Sequence, residues 1–104
     1  MENIFWTGYS EKNRYSTIQA IQTIVSKYGD IVDFKLFSDI SINITIELEE
    51  HKVDVLFHHL KDIIGMGEFE YLDSISTKER TIYLNLSFSK GSGNLIIETP
   101  AVPG

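Results

Sequence analysis

The chain has 104 residues and a formal net charge of −6. It contains no cysteine, which excludes disulfides, thiolate zinc sites and cysteine nucleophiles. Its Lys and Arg are scattered, which argues against the segregated basic surface that nucleic acids and anionic membranes require.

Hydrophobic residues make up 42% of the chain and charged residues 23%, with only 2 Pro. That balance predicts one folded domain over residues 1–104, large enough for a core without staples. Met1-Glu2-Asn3-Ile4 offers neither a basic nor a long apolar leader, so no signal peptide is expected. No apolar run approaches the ~20 residues of a membrane-spanning helix. Absence of cysteine fits a reducing compartment, and a cytoplasmic location is expected.

Residues 4–7 form a short apolar segment, the expected first strand, and Gly8 with the polar residues 9–14 forms a loop. Ser16-Thr17-Ile18-Gln19 matches a capping box, although a start near Glu11 after Ser10 also fits. Ile18, Ile21, Ile24, Val25 and Tyr28 recur at helical spacing, and Gly29 stands where a left-handed residue ends a helix.

Val32, Phe34 and Leu36 then alternate with Asp33 and Lys35, which predicts a strand. Ser38-Asp39 is the expected hairpin turn. The next strand alternates most clearly: Ile42, Ile44, Ile46 and Leu48 face one way, and Asn43, Thr45 and Glu47 the other. One polar face implies helices on one side only.

Val53, Leu56, Phe57, Leu60, Ile63 and Ile64 form the stripe of a second helix, stopped by Gly65 and Gly67. Strands are expected at residues 69–75, 82–88 and 95–98, with turns at 76–80 and 90–94. Pro100 and Pro103 keep the tail at 99–104 extended. The order is βαββαβ, the pattern of an α+β ferredoxin-like two-layer sandwich, with an additional C-terminal strand or hairpin. The expected core includes Ile18, Ile21, Val25, Ile44, Ile46, Leu56, Leu60, Leu84 and Leu86.

Residues 13–64 resemble ACT-type regulatory domains. The run Arg14…Ile18…Ile21…Ile24-Val25…Tyr28-Gly29-Asp30-Ile31-Val32-Asp33 is similar to their first helix and second strand. Residues 42–47 look like their third strand, and Val53…Leu56…Leu60 like their second helix. Asn13-Arg14-Tyr15-Ser16 stands where ACT domains that bind amino acids usually carry an Asp-x-Pro-Gly turn. The resemblance implies a small regulatory module that dimerises and senses an amino acid or another small anion at the first strand-to-helix junction. The residues it points to are Gly8, Tyr9, Ser10, Asn13 and Arg14, with Arg14 as the charge partner at a helix N-terminus.

Other chemistry is weaker. Asp54, His58 and Asp62 share a helix face with the spacing of metal ligands, but that face lies opposite the apolar stripe, and a solvated face is the simpler reading. Lys90-Gly91-Ser92-Gly93 has the glycines of a phosphate nest without the rest of a P-loop, so a hairpin turn is expected. Glu47, Glu49, Glu50, Glu68 and Glu70 read as solvating acids, and no nucleophile elbow is present. No catalytic residue, metal or cofactor is therefore expected. The expected partners are a second copy paired through a sheet edge and a small-molecule ligand. Two alternatives compete: a protein-interaction or scaffold domain with no small ligand, and a small dimeric α+β-barrel enzyme.

Overall fold

The alternation of apolar and polar residues has built a mixed five-stranded sheet, and the two helical stripes lie on one of its faces. A computed structural model describes residues 3–89. The elements are β1 (Asn3–Ser10), α1 (Arg14–Val25), β2 (Gly29–Ser38), β3 (Ser41–Glu49), a 3-10 turn (Glu50–Lys52), α2 (Val53–Lys61), β4 (Gly65–Met66) and β5 (Glu79–Phe88). No helix among the described residues is long and apolar enough to cross a membrane.

Strand order across the sheet is β2-β3-β5-β1-β4. β5 runs parallel to β1 and antiparallel to β3, which is antiparallel to β2. This differs from the expected ferredoxin-like order. The split βαβ pattern leaves room for one strand between β1 and β2, whereas two, β5 and β3, lie there. Periodicity reveals which residues a strand buries but not which neighbour it chooses. β5 takes the centre because Ile82, Leu84, Leu86 and Phe88 can all be buried there.

One core fills the space between sheet and helices. Ile4 and Trp6 of β1, Ile42, Ile44, Ile46 and Leu48 of β3, and the β5 set pack on Ile21 and Val25 of α1 and on Val53, Leu56, Phe57 and Leu60 of α2. Eight of the nine expected core residues are buried; the ninth, Ile18, is only partly so and packs at the core's margin. The opposite sheet face is uncovered among the described residues. There Phe5, 74% exposed, stacks on Tyr83 with ring centres 5.4 Å apart, and Asn85 Nδ2 donates to Asn43 Oδ1 at 2.6 Å.

Four local expectations are corrected. The cap of α1 is Asn13, whose side chain accepts from Ser16 N, so the helix begins a turn before the Ser16 capping box. Gly29 does not end α1, which stops at Val25. It opens β2, where a Cβ would meet the Glu47 carbonyl oxygen at 2.3 Å, so close pairing with β3 requires glycine. Residues 69–75 are not a strand. Residues 67–78 cross the open end of the core as an irregular strap, with Phe69 and Leu72 packed inward. The extra strand found is β4, a two-residue edge pairing beside β1; the strand expected at 95–98 lies outside the described residues.

The fourth correction concerns β1, which runs on through Gly8, Tyr9 and Ser10, where a loop is expected. In β2, Val32, Phe34 and Leu36 are 49, 42 and 55% exposed. Phe34 and Leu36 lie beside Ile44 and Ile42 on the helix-bearing face. β2 is the edge strand, and no further strand or helix shields its outer margin among the described residues.

Candidate functional site

The first strand-to-helix junction is held by short polar side chains. Ser10, at the end of β1, is buried; its Oγ lies 3.1 Å from Thr17 Oγ1 and accepts from Lys12 N at 3.1 Å. Asn13 accepts from Ser16 N through its side chain and from Thr17 N through its carbonyl oxygen. These bonds satisfy first-turn donors that a helix leaves without partners.

The five residues indicated from sequence divide by role. Gly8 lies on the core face, where a Cβ would sit 3.0 Å from Ile64 Cδ1, so its small size serves packing. Ser10 and Asn13 hold the junction together. Tyr9 is 45% exposed. Arg14 turns toward the β2–β3 hairpin: its Nη1 donates to the Asp39 carbonyl oxygen at 3.3 Å and lies 3.9 Å from Asp39 Oδ1.

Beside the junction is a cleft of about 340 Å³, lined by Tyr9, Ser10, Glu11 and Lys12 on one side and by Lys61, Asp62, Ile63, Ile64 and Gly65 on the other. Its size falls at the lower end of small-molecule sites, about 300–1,000 Å³. The pairing of Gly65 with Tyr9 brings the end of α2 to the end of β1. Its lining includes two acidic and two basic residues, Glu11 and Lys12 from the β1–α1 loop and Asp62 and Lys61 from the end of α2. Ile63 and Ile64 add apolar surface. Sequence reasoning missed this set because the two charge-neutral pairs stand some fifty positions apart, and only the β1–β4 pairing joins them.

A larger groove, about 670 Å³, runs along the strap and is lined by Phe57, Lys61, Met66, Phe69 and Tyr71. Its aromatic rings belong to a cluster that includes Trp6, with centres 4.8–5.8 Å apart. The buried Trp6 Nε1 has no hydrogen-bond partner among the described residues. Phe57 and Phe69 meet its ring edge-on.

The histidine face does not assemble as a ligand set. Asp54 accepts from Leu72 N at 2.8 Å and from Asp73 N at 2.7 Å, so its carboxylate anchors the strap. His59 Nδ1 lies 2.8 Å from Tyr28 Oη, and His51 Nε2 lies 2.8 Å from Glu49 Oε1. That bond from His51 lowers the Glu49 pKa. Among the described residues no group of three potential ligands could hold a metal. The glycine turn at 90–94 lies outside the described residues.

No family model, curated protein or solved structure matches this chain.

Proposed function

We propose that this chain is a small, non-catalytic regulatory module of ACT-like type, acting in the cytoplasm as a homodimer, which senses an amino acid in the cleft between the β1–α1 loop and the end of α2. The observation that carries the reading is the composition of that cleft. A free amino acid presents an ammonium and a carboxylate side by side, and Glu11, Lys12, Lys61 and Asp62 all line the same space. Charge-assisted hydrogen bonds to both ends of the zwitterion favour it over a simple anion. The resemblance of residues 13–64 to ACT-type domains supports the same junction. Arg14, engaged by Asp39, serves the fold in this reading, and Lys12 and Lys61 take the carboxylate.

A thermal-shift screen against the common amino acids tests the proposal. A ligand specific for the native state raises the melting temperature by mass action, and at least one amino acid at millimolar concentration is expected to do so. A flat screen favours a second reading, a protein-interaction domain with no small ligand. Its support is the uncovered sheet face bearing Phe5 and Tyr83.

A further inference from the structure

β2 is a ten-residue edge strand with an apolar margin: Val32, Phe34, Leu36, Phe37 and, in the adjoining turn, Ile40 are each 42–58% exposed. Unpaired edges of this length and character are templates for strand addition. β2 departs from regular register with β3 between Ile31 and Asp33 and again between Leu36 and Ser38, so residues 33–36 form its regular stretch. Within it, Asp33 and Lys35 occupy the uncovered sheet face, opposite Thr45 and Asn43, while Phe34 and Leu36 occupy the helix-bearing face. Among the described residues neither Asp33 nor Lys35 carries an ion pair.

We propose that β2 pairs antiparallel with β2 of a second copy, about a two-fold axis at Phe34. This rests on the homodimer part of the reading above and specifies its edge and register. An isologous edge contact repeats the same residues on both sides. Residues directly opposite in an antiparallel ladder share a face, so the two-fold axis must pass through a residue and not between two. With Phe34 on the axis, Asp33 of each copy faces Lys35 of the other, giving two cross-strand ion pairs within the regular stretch. Moving the axis to Lys35 sets lysine against lysine; moving it to Asp33 sets aspartate against aspartate. Like charges directly opposite are destabilising, so the charge pattern selects one register of the three.

The absence of cysteine makes a direct test possible. The wild-type chain of 104 residues is expected to be dimeric by light scattering at micromolar concentration. Phe34→Cys places two thiols opposite each other at a separation a disulfide accepts, Cα atoms about 4.4–6.8 Å apart, and mild oxidation is expected to yield a covalent dimer. Leu36→Cys places its thiols about 13 Å apart along the strands and is expected not to cross-link. Lys35→Asp is expected to weaken the dimer about tenfold or more, and Asp33→Lys with Lys35→Asp to restore it. Circular dichroism confirms that each variant is folded. A monomeric wild type overturns the dimer reading and the register together, leaving the edge to a partner of another kind. A dimeric wild type in which Phe34→Cys fails to cross-link, or in which the double swap fails to restore association, overturns the register alone.

Discussion

Glu50 Oε1 accepts a hydrogen bond from Arg80 Nη1 at 2.8 Å, with 17 and 10% of the two side chains exposed. The same carboxylate accepts from Ser74 Oγ at 2.6 Å, and the neighbouring backbone donates from Glu50 N to the Lys78 carbonyl oxygen and from His51 N to that of Ser76. Glu50 thus ties the 3-10 turn that precedes α2, the strap and β5 together.

A pH dependence follows. Hydrogen bonds from Ser74, then Arg80, hold the Glu50 carboxyl below its ordinary value. The stabilisation is therefore complete above the unfolded glutamate value, about 4.3, and is lost as pH falls through the lower folded value. Thermal melts from pH 7 to pH 2 are expected to show a steeper acid decline for wild type than for Glu50→Gln, which lacks this titration. Parallel declines would show that the pair does not couple to folding.

Asp54 gives a local prediction. It holds the Leu72 and Asp73 amides, and Asp73 sits at φ 52°, a left-handed conformation that needs support in a non-glycine residue. Asp54→Ala is expected to speed hydrogen exchange at both amides while leaving the amides of β3 and β5 protected. Uniform acceleration would mean that the strap opens only with the whole fold.

Two glycines separate close approach from mere turn-making. At Gly29 an added Cβ would lie 2.3 Å from the Glu47 carbonyl oxygen and 2.6 Å from Leu48 Cβ, whereas at Gly65 the nearest atom, the Tyr9 carbonyl oxygen, is 3.5 Å away. In urea denaturation, Gly29→Ala is expected to cost at least the upper part of the about 1–3 kcal/mol typical of overpacking. Gly65→Ala is expected to stay within about 1 kcal/mol of wild type. Equal costs would refute the β2–β3 packing described.

Leu60 is fully buried in α2 beneath the sheet, and Leu60→Ala is expected to cost about 2–5 kcal/mol through lost burial and a cavity. A loss below about 1 kcal/mol would show that the α2 stripe does not carry the core.

The helical stripes and the period-two strands β3 and β5 were legible because burial imposes their spacing directly. Strand order was not, since Ile82, Leu84 and Leu86 fit a central or an edge position equally well by pattern. The exposure of β2 was illegible for a related reason. Its alternation of Val32, Phe34 and Leu36 signals one apolar face, but not whether anything covers it. Phe69 and Leu72 read as strand residues because inward-packed apolar side chains punctuate the strap as they would a strand. The β1–α1 connection was legible, but its extent was not: Gly8, Tyr9 and Ser10, expected as loop, are the last residues of β1. The direction of Arg14 depends on Asp39 across the fold, which local sequence does not reveal.

The proposed amino-acid site is tested most directly by calorimetric titration with the amino acid that gives the largest thermal shift. Wild type, Lys12→Gln, Lys61→Gln and Arg14→Ala would be compared. Loss of a charge-assisted hydrogen bond of about 1.5–3 kcal/mol predicts affinities about tenfold or more weaker in each lysine variant. Arg14→Ala is expected to retain wild-type affinity, because its guanidinium is turned to Asp39. Unchanged affinity in both lysine variants, or a loss confined to Arg14→Ala, would contradict the placement of the ligand in the cleft.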